Sequence, residues 1–161
     1  MIVVSNTSPI TNLAAIGELD LLYRLYGKIV IPDGVWNELH SMGLNWPGAQ
    51  EVGSALWVTR RQVQNGPLVE ALSLELDRGE AEAIALALEL GAGLILLDER
   101  GGRRTARRLG VPVIGVLGVL LDAKRNGYLS AISPLVNALR QSAGFYLTDT
   151  VVHSVVDLAG E

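Results

Sequence analysis

The chain has 161 residues, a formal net charge of -4, and 49% hydrophobic against 19% charged residues, a balance that supplies a sizeable core and excludes a disordered chain. No stretch offers the roughly 20 consecutive apolar residues of a spanning helix, no basic leader opens the sequence, and the absence of Cys excludes a disulfide framework and a thiolate metal site. One cytoplasmic domain over residues 1–161 is expected, and a sequence pI near 5.2 leaves room only for local contact with nucleic acid.

In chain order, Ile2-Val3-Val4 is a short β-branched run expected as a buried strand. Ser8 then suits the cap of a helix whose first position is Pro9, with Ile10, Leu13 and Ala14 on one face and Gly17 as its stop. A second helix is expected over 19–26, and a second strand over 28–31, closed by Pro32. Asp33 suits the cap of a helix that carries Val35, Trp36 and Leu39 inward with Glu38 beside them, and 41–48 is loop by its Gly, Asn and Pro content. The third strand, 56–63, has a polar second half that suits a sheet edge. Residues 77–90, rich in Ala, Leu and Glu and stopped by Gly91, form the strongest helical pattern, followed at once by the apolar strand 94–97 ending at Asp98. A basic helix through Thr105 and Ala106, a fifth strand over 111–114, and helices within 118–127, 134–142 and 149–159 complete the chain. Strands alternating with helices predict an α/β layer fold with a mainly parallel sheet.

Reactive groups in such a sheet collect beyond the carboxyl ends of the strands, where helix N-termini and loops converge. Ser5-Asn6 and Asp98-Glu99 stand there for the first and fourth strands, and a further acidic cluster, Asp77 to Glu82, opens the strong helix. Carboxylates in a first helical turn also complement the macrodipole, which is the ordinary explanation for Glu82. The short return from this helix to its strand is read as putting the start of the helix and the end of the strand at opposite poles, so spacing alone does not join Glu80 to Asp98.

The segments Val3-Val4-Ser5-Asn6-Thr7-Ser8-Pro9-Ile10, Ile31-Pro32 with Val35 and Glu38, the run from Gly79 to Ala87, and Leu96-Leu97-Asp98-Glu99 with an arginine-rich helix behind it resemble the PIN-like nuclease superfamily. The closest likeness is to its prokaryotic SNTSP branch, related to VapC-type toxins of toxin–antitoxin modules. It covers Met1 to about Leu120, and the tail from Gly144 to Glu161 is similar to that branch as well. The resemblance implies a three-layer α/β/α fold with a five-stranded sheet ordered 3-2-1-4-5. It also implies a site of Asn6, Glu38, Glu80 and Asp98 in which Glu38, Glu80 and Asp98 hold Mg²⁺ or Mn²⁺. Hard divalent cations favour such oxygen ligands, and their charge assists hydrolysis at phosphorus. This chain carries Asn6 where most active members carry Asp. The neutral amide forfeits several kcal/mol of attraction, on the order expected at an effective dielectric near 20, and Glu82 or Glu99 is the candidate to restore a charge.

Arg100, Arg103, Arg104, Arg107 and Arg108 place five of the 13 Lys+Arg residues in one short window. They are expected to clamp a nucleic-acid backbone beside Asp98, with a solvated face paired to nearby carboxylates as the alternative. Asn6, Thr7 and Ser8 have an ordinary role as a strand-to-helix cap, and neither His40 nor His153 suggests a serine-hydrolase relay. Trp36, Trp46 and Trp57 suit core or interface anchoring. Gly101-Gly102 lacks the spacing of a dinucleotide or phosphate loop. Apolar excess in 113–121 and among Val151, Val152, Val155, Val156 and Leu158 predicts a homodimer. The expected function is a metal-dependent ribonuclease, the toxin of a toxin–antitoxin pair with an antitoxin protein as partner. The rivals are a catalytically reduced PIN-like module that binds nucleic acid or protein without cutting, and a Rossmann-like domain for a small phosphorylated ligand.

Overall fold

Alternation along the strands sorts their side chains into two layers, because successive residues of a strand face opposite sides of its sheet. In the computed structural model, which describes residues 1–142 and 145–161, β1 (Val3–Ser5) and β4 (Leu94–Leu96) divide in this way. Val3, Leu94 and Leu96 enter one buried cluster, and Val4 and Ile95 enter the other. With β2 (Ile29–Pro32), β3 (Val58–Arg61) and β5 (Val113–Ile114) they form a sheet ordered β3-β2-β1-β4-β5. Every pairing is parallel, with Val4 aligned to Val30 on one side and to Ile95 on the other. The expected architecture and strand order are those observed. β3 lies at the edge, its Thr59, Arg60 and Arg61 exposed, and is shorter than the segment 56–63.

On the first face pack α1 (Thr7–Ala15), α2 (Asp20–Tyr26), α8 (Val116–Arg125), α9 (Ser133–Ser142) and α10 (Asp149–Leu158), supplying Ile10, Leu13, Leu22, Val119, Leu120, Val136 and Val155 to the core. Much of the apolar excess in 113–121 is therefore absorbed internally, with Val116, Val119 and Leu120 fully buried, while Leu158 on α10 is 66% exposed. On the second face α6 (Arg78–Leu90) and α7 (Arg100–Arg108) contribute Ile84, Leu86, Ala87 and Ala106. α3 (Asp33–Ser41) buries Val35 and Leu39, with Trp36 only half-buried. Two short helices, α4 (Ala49–Ser54) and α5 (Gly66–Leu72), were not expected. Each spans two turns or fewer, too few to establish a period. Asp33 also departs from its expected role, since it lies within α3 and pairs with Arg60 at 2.7 Å. Gly144, where the resemblance of the tail begins, lies outside the described residues.

α6 decides where the site lies. Its N-terminus is closed by a capping box in which the Asp77 side chain accepts from the Glu80 backbone and the Glu80 side chain accepts from the Asp77 backbone. It ends at Gly91, whose φ of +61° is left-handed and suits a residue without Cβ. A helix in this architecture runs antiparallel to the strand that follows, so the start of α6 and the end of β4 share one pole. The expectation of opposite poles is thereby corrected: the short return at 91–93 reverses the chain, and a carboxylate oxygen of Glu80 comes within 4.8 Å of one from Glu99.

Candidate metal centre and adjoining groove

Carboxylates converge on the pole where β1 and β4 end. Glu80, in the first turn of α6, is only 5% exposed, and its Oε1 is buried without a hydrogen-bond partner. Burial, with Glu99 and Asp77 nearby, pushes its carboxyl up to about 8. One ligand oxygen from each of Asp77, Glu80 and Glu99 falls in a group whose members all lie within 4.8 Å of one another. Glu38 on α3 borders the same group: burial raises its carboxyl, a hydrogen bond from Thr7 opposes this, and the charges of Asp77 and Glu99 raise it further. A Cβ at Gly79 would lie 2.5 Å from Glu38 Oε1, so the missing side chain lets α6 approach that carboxylate. Gly102 has a similar place on α7, since a Cβ there would come 2.5 Å from Leu97 Cδ2 and 3.4 Å from Glu80 Oε1.

The opening of α1 orients these groups rather than capping its helix. Thr7 Oγ1 donates to Glu38 Oε2 at 2.5 Å, Ser8 Oγ donates to Glu99 Oε1 at 3.0 Å, and Asn12 Nδ2 donates to Asp98 Oδ2 at 3.2 Å. Asn6 occupies the cap position without a side-chain cap bond, and the helix starts at Thr7, one residue before the cap expected at Ser8. Asn6 is 3% exposed and its Oδ1 is buried without a partner. Asp98 has both oxygens engaged, since Oδ1 also accepts from Val116 N at 2.7 Å and so ties β4 to the start of α8. Burial pushes its carboxyl up to about 6, against the lowering effect of the Val116 and Asn12 hydrogen bonds. Asp98 is thus next to the three-carboxylate group in sequence but not a member of it.

Glu82 is held elsewhere. It accepts from Gly34 N at 3.2 Å and pairs with Arg78 at 3.1 Å, joining the start of α3 to α6. Asp77, by contrast, belongs to the group although it was not among the expected site residues. The signal that would have found it is its position three residues before Glu80, which is also what the capping box requires.

The basic helix forms one wall of an adjoining groove. Arg100, Arg103 and Arg107, on one face of α7, line a cavity of about 380 Å³ with Asp98 and the apolar side chains Leu117, Phe145, Leu147 and Val151. Among the described residues, none of Arg100, Arg103, Arg104, Arg107 and Arg108 has a carboxylate oxygen within the 4.0 Å of an ion pair, while the charge of Arg103 acts on the Asp98 carboxyl and lowers it. Thr7, Ser8, Asn12, Glu38 and Asp77 line a second cleft of about 510 Å³, which the acidic group borders through Asp77.

A family model described as DUF3368: PIN domain matches residues 2–161. The chain belongs to the PIN domain family. PIN domains are generally metal-dependent nucleases, which sets the chemistry of this one among hydrolases. Its fold is similar to that of a solved structure, a PilT N-terminus domain protein from the hyperthermophilic archaeon Sulfolobus solfataricus P2. The TM-score is 0.59 at 23% identity, over 76% of this chain and 93% of that one. Among curated proteins no match is found.

The PIN-domain donor set fits a hard divalent cation. The clustered ligand atoms of Asp77, Glu80 and Glu99 are all carboxylate oxygens, and Glu80 Oε1 is a buried acceptor without a hydrogen-bond partner, as is Asn6 Oδ1 at the end of β1. No helix among the described residues is long and apolar enough to cross a membrane.

Proposed function

We propose that this PIN domain is a metal-dependent endoribonuclease acting as one domain in the cytoplasm, the toxin of a toxin–antitoxin pair. The observation that carries the reading is the buried, unpartnered Glu80 Oε1 within a group of carboxylates less than 5 Å apart. Uncompensated negative charge of this density is costly in a folded chain, and a divalent cation offsets it. Mg²⁺ or Mn²⁺ would be held by Glu80, Glu99 and Asp77, with Glu38 and Asp98 as the outer acidic residues and Asn6 offering its neutral oxygen. When bound, the cation supplies positive charge to the scissile phosphate and to its attacking water.

The side chains prepare that chemistry. Thr7 and Ser8 fix the direction of Glu38 and Glu99, Asn12 fixes Asp98, and the burial that raises Glu80 keeps one proton available until a cation displaces it. Arg100, Arg103, Arg104 and Arg107 hold the RNA backbone by its phosphates, a task for which unpaired guanidinium groups are suited. The alternative, a catalytically reduced module that binds nucleic acid or protein without cleaving, is favoured by one observation, the neutral Asn6 at a buried acceptor position. Glu99 weighs against it by bringing a charge into the group. An antitoxin protein and a second copy of the chain are the proposed partners, the copy joined through α3 or the tail.

Purified protein is expected to cleave RNA with Mg²⁺ or Mn²⁺ and to stop in EDTA, and Glu80→Gln and Asp98→Asn are expected to abolish cleavage. Cleavage that survives both substitutions would refute the assignment. RNA binding without cleavage in the wild type, with cleavage gained in Asn6→Asp, would establish the reduced module instead.

A further inference from the structure

The groove behind Asp98 has two chemically different walls. One is the arginine face of α7, where spacings of three and four residues bring Arg100, Arg103 and Arg107 to the same side. The other is the segment 145–151, which presents Phe145, Tyr146 and Val151. Tyr146 is 87% exposed and stacks on no other aromatic ring among the described residues. An exposed ring opposite unpaired guanidinium groups matches the two parts of a nucleotide, a flat apolar base and an anionic phosphate. In a duplex the base faces are covered by their neighbours, so only an unpaired base reaches such a ring.

We propose that this groove is a nucleotide subsite that selects an unpaired base: the phosphate lies on Arg100, Arg103 and Arg107, and the base stacks on Tyr146 with Phe145 at its edge. The proposal deepens the ribonuclease reading and rests on it for the identity of the strand, but its test needs no hydrolysis. Asp98 lines both this groove and a smaller neighbouring pocket with Arg103 and Phe145, and it immediately precedes Glu99 of the acidic group in the chain. An acidic peptide would satisfy the arginines as well but would offer the exposed ring no flat partner, which is why a strand is the better occupant.

The test is fluorescence anisotropy of a labelled oligouridylate, and of an abasic oligomer of equal length, with the full chain in EDTA. Tyr146→Ala is expected to weaken the oligouridylate on the order of tenfold and Tyr146→Phe to restore it. The abasic oligomer should be indifferent to both changes. Arg103→Ala and Arg107→Ala should weaken both oligomers and reduce the salt dependence by about one ion each. Equal binding of the two oligomers, or no effect of Tyr146→Ala, would overturn the subsite, as would a glutamate-rich peptide that binds through Tyr146 when oligouridylate does not. Because Tyr146 is exposed, its substitution leaves the core intact. A protein that cleaves in spite of Glu80→Gln would sink the acidic-centre reading while leaving this binding result to stand or fall separately.

Discussion

Replacing Glu80 by Gln in the cation-free protein should increase stability at alkaline pH, although it removes a group proposed to be essential. The carboxyl is held up at about 8 in the fold, against an ordinary value of 4.5. A group with a raised folded value stabilises fully below its unfolded value, and that contribution is lost as pH rises through the folded one. The window is therefore pH 4.5 to 8. At 1.36 kcal/mol per pH unit the loss is at most about 5 kcal/mol, and water entering the cleft should reduce it to roughly 2 kcal/mol. Gln keeps the shape, can still accept from Asp77 N, and brings a neutral amide toward Glu99. Urea denaturation in EDTA at pH 5 and pH 9 is the assay: the wild type should be distinctly less stable at pH 9, and Glu80→Gln should remove most of that difference. Equal pH slopes in the two proteins would refute the reasoning, because the acidic group would then carry no buried charge for a cation to relieve.

Four further outcomes follow from the same geometry. Gly79→Ala should push Glu38 aside, since its Cβ would lie 2.5 Å from Oε1, and lower Mn²⁺ affinity by roughly tenfold in calorimetry with little loss of fold. Asn12→Ala leaves Asp98 Oδ2 without its donor and should cost about 1–3 kcal/mol in denaturant midpoint analysis. Gly91→Ala forces a Cβ into φ +61° and should cost about 1 kcal/mol, read as a lower melting temperature. Glu161 accepts from Lys124, Ile132 N and Ser133, which holds its carboxyl down at about 2. Its contribution is present above the ordinary value of 4.5 and lost as pH falls through about 2, so Glu161→Gln should speed hydrogen exchange at the start of α9 at neutral pH.

Most of the layer architecture was legible because it depends on local signals. β-branched runs such as Ile29-Val30-Ile31 and the capped, alanine-rich α6 leave little choice of element, and strict alternation in strands fixes which side chains meet which layer. The strand order came from the resemblance, since no single-chain periodicity distinguishes 3-2-1-4-5 from its rivals. α4 and α5 escaped because six or seven residues do not define a helical face. The site was harder to read. Asp77 was read only as part of the acidic run that opens α6, whereas its side chain both caps the helix and stands among the clustered carboxylates. Ser8 passed for a cap and is not, because its hydroxyl donates instead to Glu99, 91 residues away. Contacts of that separation leave no trace in spacing. The misplaced pole of Glu80 was a topological error rather than a missing signal, since the antiparallel return of a helix in a parallel sheet already implies the observed position.

A Mn²⁺ titration by calorimetry, with the wild type beside Glu80→Gln and Glu99→Gln, tests the central claim most directly. The account predicts saturable binding by the wild type, with proton release that grows below pH 8, and a large loss of affinity in both variants. Absence of binding, or unchanged affinity in Glu80→Gln and Glu99→Gln, would contradict it.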